Sequence, residues 1–176
     1  PVDSLGWFLA GSRLVLRGHE TQDVATWRAA RVDFEQAIRL APIARALYHF
    51  ELAHVAGHAH DLDTARSATQ AIRHLWPDHE DTLWWSGVAL MDVDPPAAAV
   101  AFRQMIERNP ANAQAMSLLA RITANLGQLP EAEALFRRAI ALRPDRGELH
   151  HELGYALLLQ QKVDEAIGEY RQATVI

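Results

Sequence analysis

"LPEAEALFRRAIALRP", residues 129–144, reads as one helix with both ends written into it. Pro130 stands in the first turn, where the N–H that proline lacks would have no intrahelical partner. Glu131 and Glu133 sit near the positive end of the helix. Arg137, Arg138 and Arg143 lie in the second half, and Pro144 follows as a stop. The apolar residues recur with helical, not alternating, spacing. On the N-terminal side, "VDPPAAAVAFRQMIERNP", residues 93–110, repeats the design, with Asp94 as the expected cap before Pro95 and Pro96.

The recurrence extends along the chain. Pro77, Pro110 and Pro144 close helical stretches at intervals of 33 and 34 residues. An alanine accompanies them at Ala65, Ala98, Ala132 and Ala166. Four residues after each comes Thr69, Phe102, Phe136 or Tyr170, and seven after comes Ile72, Met105, Ala139 or Ala173. A large-then-small pair precedes each: Leu52-Ala53, Trp85-Ser86, Leu119-Ala120, Leu153-Gly154. Small residues at fixed places let two helix backbones approach, and a bulky residue beside them fills the remaining gap. Each unit is expected to be two antiparallel helices and a tight turn.

These residues resemble the tetratricopeptide repeat, whose period is about 34 residues. The resemblance implies an all-α, right-handed α-solenoid of about five antiparallel helix pairs, taken as a single domain over 1–176. Its units fall at 46–78, 79–112, 113–146 and 147–176, after a degenerate unit over 1–45. In that first unit "WRAARVDFEQAIRLAP", residues 27–42, supplies Ala30, Phe34, Ala37 and Pro42 at the family's spacing. Its first helix is expected within 3–17, and "RGHETQDVAT", residues 17–26, reads as an unusually long connection. About three residues are inserted after Pro42. In the 46–78 unit Ala71 competes with Ile72 for the close-contact position, which would be a one-residue slip.

Composition narrows the function classes. The 176 residues are 49% hydrophobic and 22% charged, which excludes a disordered chain. No apolar run reaches the ~18 residues of a membrane-spanning helix. A net charge of −5 with scattered basic residues argues against a nucleic-acid partner. The absence of cysteine removes disulfides, thiolate metal sites and thiol nucleophiles. The start at Pro1 and the apolar finish of "RQATVI" read as a piece of a longer chain with an uncapped last helix, open to self-association.

"HFELAHVAGHAH", residues 49–60, poses the one question of chemistry. Leu52, Ala53 and Ala56 take the core-facing positions of a first helix, so Glu51, His54 and His58 share another side. They offer a zinc-like ligand set, but HExxH is absent and no second-shell pattern accompanies them. No metal or other cofactor is assigned.

The resemblance implies that this side lines a ligand groove. It would comprise Phe50, Glu51, His54, His58, Leu83, Trp84, Met91, Arg121, Asn125, His151, Glu152 and Tyr155. Trp85 is expected in the core slot, leaving Trp84 toward the groove. The Lys, Arg and Asn clamp with which some such domains hold a peptide carboxylate is missing. The expected function is a non-catalytic scaffold for a protein or peptide partner, such as an amphipathic helix. By family analogy, and from the Ala- and Arg-rich composition, this suits bacterial cell-envelope, pilus, polysaccharide or secretion machinery, in cytoplasm or periplasm. The alternatives are a regulatory or substrate-presenting arm of a larger enzyme or membrane protein and, more weakly, a zinc-binding protein using the 51–58 cluster.

Overall fold

The computed structural model describes residues 3–41, 46–77 and 79–175. These form ten α-helices and no strand. In chain order they are α1 (Ser4–Thr21), α2 (Val24–Leu40), α3 (Ala46–His58), α4 (Leu62–Leu75), α5 (Glu80–Leu90), α6 (Pro95–Arg108), α7 (Ala113–Asn125), α8 (Leu129–Leu142), α9 (Gly147–Leu159) and α10 (Val163–Val175). Two compact units result, residues 1–98 and 99–176. None of these helices is long and apolar enough to cross a membrane.

In the first unit α1 pairs with α2 and α3 with α4, and α5 follows. The core gathers Trp27, Phe34, Phe50, Val55 and Ile72, all nearly sealed from solvent. Two glycines set the distance between α1 and α2. A Cβ at Gly18 would lie 2.7 Å from the Trp27 ring, and one at Gly11 would lie 2.9 Å from Phe34. The expected long connection is corrected here, because most of 17–26 is helical. Only Gln22 and Asp23 lie between the helices. Gln22 takes the left-handed conformation (φ 53°) and its N–H bonds the Gly18 carbonyl. Asp23 caps α2 through the N–H groups of Ala25 and Thr26. The first helix accordingly runs past the expected 3–17 span. Pro42, the insertion after it and the terminal Ile176 lie outside the described residues.

The second unit contains the pairs α7–α8 and α9–α10. Most of the repeat positions are buried, with Met105, Tyr170 and Ala173 only half-buried. Ala65, Ala98, Ala132 and Ala166 are buried, as are Thr69, Phe102 and Phe136. Ile72 is buried and Ala71 only half-buried, so the one-residue slip does not occur. Leu52, Leu119 and Leu153 fill their slots. Trp85 does not: it stays 38% exposed, its ring centroid 5.6 Å from that of Phe50. An indole is too large for a slot that leucine fills elsewhere, so the expectation that Trp85 is core is corrected.

The turns inside three pairs share one geometry. His60 (φ 56°), Gly127 (φ 77°) and Gln161 (φ 64°) are left-handed. The next residue's N–H reaches back five positions, from Asp61 to Ala56, Gln128 to Thr123 and Lys162 to Leu157, at 2.8–3.0 Å. Successive second helices are tied by a recurring ion pair. Arg31 meets Asp61, Arg66 Nε meets Asp94 at 2.7 Å, Arg103 meets Glu131 at 2.9 Å, and Arg137 meets Glu165 at 2.9 Å.

Glu133 is the buried member of this network. It accepts from Lys162 Nζ and Gln160 Nε2, each at 2.8 Å, and pairs with Arg137. Burial pushes its carboxyl up, but those hydrogen bonds and the Arg137 charge outweigh burial and hold it below the usual value. Glu133→Ala is expected to lower stability by about 1–3 kcal/mol, since it removes the carboxylate that Lys162, Gln160 and Arg137 share. An unchanged urea midpoint would contradict that role.

Candidate interaction surface

The expected groove residues fall into two groups. Phe50, Glu51, His54, His58, Leu83, Trp84 and Met91 belong to the first unit, and Arg121, Asn125, His151, Glu152 and Tyr155 to the second.

In the first unit two positions are corrected. Phe50 and Leu83 are 6% and 5% exposed, so neither presents a side chain to a partner. Phe50 packs between Trp76, at the end of its own hairpin, and Trp85 of α5, and the two indoles close over it. Trp84 and Met91 are half-buried, and Trp85 is the more exposed of the two adjacent tryptophans.

The histidines of α3 do come together, with a third that spacing within the quoted stretch does not reveal. The His54 and His58 rings meet edge to face at 4.7 Å. His19 of α1 lies 5.6 and 5.7 Å from them, and Trp27 stacks on His58 at 4.4 Å. The signal for His19 was present. It precedes His54 by 35 residues, the interval that separates Ala30 from Ala65, so both occupy one repeat position on successive first helices.

Burial, then the charges of His58 and His19, lowers the His54 pKa to about 4. Burial also lowers His49 and His58, the latter against the opposing pull of Asp92. Glu51 is raised by burial, with the His19 charge pulling it down. This chemistry favours neutral imidazoles packed as aromatic rings. Among the described residues no group of three or more His, Cys, Asp or Glu converges so as to hold a metal ion, so Glu51, His54 and His58 do not form the zinc set considered from sequence.

The second unit carries the polar surface. Arg121 Nε of α7 lies 3.9 Å from Glu152 Oε1 of α9, and both stay substantially exposed. Tyr155 is 48% exposed one turn further along α9, and Asn125 is exposed at the end of α7. His151 is exposed with its ring 5.4 Å from Tyr170. Its neighbour His150 points elsewhere and binds Glu169 at 2.7 Å. Near the start of α7 and α9 an open pocket of about 220 Å³ is lined by Gln114, Ser117, Arg143, Arg146 and Glu148. Arg121, Gln114, Glu148, Glu152 and Tyr155 on α7 and α9, with Arg143 and Arg146 at the α8–α9 turn, present hydrogen-bonding groups on one surface.

Stacked antiparallel helix pairs with a recurring capped turn and a recurring Arg–acid pair define a helical-repeat protein. The family profile of the tetratricopeptide repeat matches residues 94–147 and 124–176, and the repeat there is of that kind. The general transcriptional corepressor ssn6 of Schizosaccharomyces pombe is 31% identical over 108 residues, which is 61% of this chain and 10% of that protein. The match thus spans about a tenth of that curated relative's length.

Among solved structures, MamA of Desulfovibrio magneticus RS-1 (residue 41 to its end) superposes with a TM-score of 0.75 at 16% identity, covering 99% of this chain and 94% of that one. TTC0263, a thermophilic tetratricopeptide protein of Thermus thermophilus, gives 0.67 at 20% identity over 97% and 89%. YrrB, a tetratricopeptide protein with an unusual peptide-binding site, gives 0.64 at 16% identity over 97% and 84%. At these identities the likeness establishes the fold, that of a tetratricopeptide α-solenoid.

Proposed function

We propose that the chain is a non-catalytic scaffold that holds a protein partner through the first-helix surface of its second unit. The observation that carries this reading is the exposed set Arg121, Glu152, Tyr155 and His151. These lie beside core positions already filled by Leu119, Leu153 and Leu157, so the exposed groups are not needed for packing. Tetratricopeptide domains as a class are protein-interaction modules, and YrrB's peptide-binding site supports a peptide or helix as ligand by analogy. In the finer reading the scaffold serves a bacterial cell-envelope assembly. The bacterial sources of the MamA and TTC0263 folds agree with this without specifying it. A second reading, an arm of a larger protein, is favoured by the small share of the corepressor that the match covers.

Photo-crosslinking tests the surface. A benzophenone amino acid at position 155 or 121 is expected to capture a partner, and one at the exposed Arg138 of α8 is not. Tyr155→Ala should weaken capture about tenfold, the loss of one aromatic anchor, with circular dichroism unchanged. Equal capture from 138 and 155 would overturn the assignment.

A further inference from the structure

We propose that the aromatic face formed by Phe50, Trp76 and Trp85 in the first unit binds an arginine side chain of a protein partner, independently of the second-unit reading above. Three observations lead there.

The first is a residue that its own position does not explain. Trp85 stands where α3, α7 and α9 carry Leu52, Leu119 and Leu153, each buried, yet it stays 38% exposed. Leucine fills that slot in three other repeats, so packing alone favours leucine here as well. A tryptophan at a core position that it does not fill breaks the local rule, and such breaks mark functional sites.

The second is what the indole stands beside. Four rings follow one another: Trp85 to Phe50 at 5.6 Å, Phe50 to Trp76 at 6.1 Å, and Trp76 to His79 at 5.0 Å. Buried Phe50 is the floor. The two exposed indoles flank it, inclined to its plane by 66° at Trp76 and 37° at Trp85. Neither lies flat on Phe50, which leaves π surface for another group. The backbone that carries Trp76 is held in place, because its carbonyl accepts from the buried Thr82 hydroxyl at 2.7 Å and from the His79 N–H at 3.3 Å. The face is therefore preorganised. Leu47, one turn before Phe50 on α3, is exposed and adds apolar surface on which an aliphatic stem can lie.

The third is charge. From His74 to Phe102 the sequence contains no lysine or arginine, and Asp78, Glu80 and Asp81 fall between Trp76 and Trp85. Asp81 is exposed with its Oδ2 3.6 Å from His79 Nδ1, which sets a carboxylate at the Trp76 end of the row. Acids also suit the positive end of α5, but exposed indoles do not need them. Indole faces and carboxylates together select a cation, because both attract positive charge and both repel an anion. Arginine fits better than lysine. Its planar guanidinium stacks on an indole while its N–H groups reach a carboxylate, and it sheds water more readily than an ammonium.

Indole N–H resonances of the isotope-labelled chain test this. The five tryptophans give separate signals, and Trp76→Leu and Trp85→Leu assign two of them. The probe is the blocked peptide acetyl-Gly-Gly-Arg-Gly-Gly-amide. Its citrulline counterpart keeps the shape and the hydrogen bonds without the charge. The arginine peptide should shift the Trp76 and Trp85 signals saturably, with a dissociation constant on the order of millimolar, and leave Trp7 and Trp27 in place. The citrulline peptide should bind at least about fivefold more weakly, with a lysine peptide between the two. Trp85→Leu, read through Trp76, should weaken the arginine peptide about fivefold without lowering the urea midpoint, since leucine serves the other repeats. Asp81→Asn should weaken it about two- to threefold. Glu152→Gln and Tyr155→Ala should leave it unchanged, so this site and the second-unit surface stand or fall separately. Equal binding of the citrulline peptide would make the contact an uncharged one. Shifts shared by all the indoles would make it diffuse attraction to an acidic chain. Either result overturns the proposal, as does binding that ignores Trp85→Leu, or a lowered midpoint in that variant, which would make the indole a packing residue.

Discussion

Replacing Gly57 with valine is expected to cost about 3 kcal/mol or more and to lower the melting temperature by roughly 6–12 °C. Gly57 lies on the side of α3 that faces α5, and a Cβ added there would lie 2.6 Å from the Ala89 carbonyl oxygen. That atom is backbone, held by the helix that carries it, so the clash is not relieved by turning a side chain. The two helices must separate, and separation uncovers Leu90 and Val55, now almost fully buried. Alanine at 57 already places the offending atom and should show most of the loss. Gly168 is the control. It is helical and exposed, and nothing lies within 4 Å of an added Cβ. Gly168→Ala should therefore stabilise by about 0.5–1 kcal/mol, because it narrows the unfolded chain and improves helix propensity. Thermal melts of both variants decide the matter: the same change of sign at both sites would mean that helix propensity, not the α3–α5 approach, governs position 57.

The contrast between those glycines marks how far the sequence could be read. Repeat class was legible because it rests on spacing. Alanine, aromatic and proline recur at 33–34 residues, and every such alanine from Ala65 to Ala166 is buried. Helix ends were legible where capping chemistry is local, as at Asp94. The α1–α2 turn was not, because its left-handed residue is Gln22 and not glycine, and "RGHETQD" offers no punctuation for a helix running to Thr21. The same holds at His60 and Gln161, which take the conformation that glycine takes at Gly127.

Surface assignment failed where size overrode register. Trp85 stands at the position of Leu52, Leu119 and Leu153 but cannot enter fully, and Phe50 goes inward because Trp76 and Trp85 cover it. Polar positions divided: Glu51, His54 and His58 are half-buried against α1, α2 or their own helix. Arg121, Glu152 and Tyr155 remain exposed because no packed seam accommodates a charge or a phenol without a partner.

Acid should loosen the first unit while the second stays folded. His49, His54 and His58 all lie in the first unit and all have lowered pKa values, led by His54 at about 4. Unfolding returns each imidazole to its ordinary value near 6.5. Between pH 6.5 and 4 the unfolded chain therefore binds a proton at His54 that the folded chain refuses, and stability is lost as pH falls through that window. From pH 7 to pH 5 His54 alone accounts for a loss on the order of 1–2 kcal/mol, after allowing for the solvent it still meets; His58 and His49 act in the same direction, and Glu51, whose carboxyl burial raises, offsets part of the loss. In the second unit His150 is bonded to Glu169 and His151 is exposed. The chain supplies its own reporter, since all five tryptophans, at 7, 27, 76, 84 and 85, lie in the first unit. At pH 7 the urea midpoint from tryptophan fluorescence should lie close to that from far-ultraviolet circular dichroism. At pH 5 the fluorescence midpoint should fall below it, as the emission of Trp27, stacked on His58, reports the opening of α1–α3. His54→Gln, which cannot take up the proton, should remove most of the drop. If the fluorescence midpoint ignores the change of pH, or the variant keeps the full drop, the burial of these imidazoles is not what couples the first unit to acid.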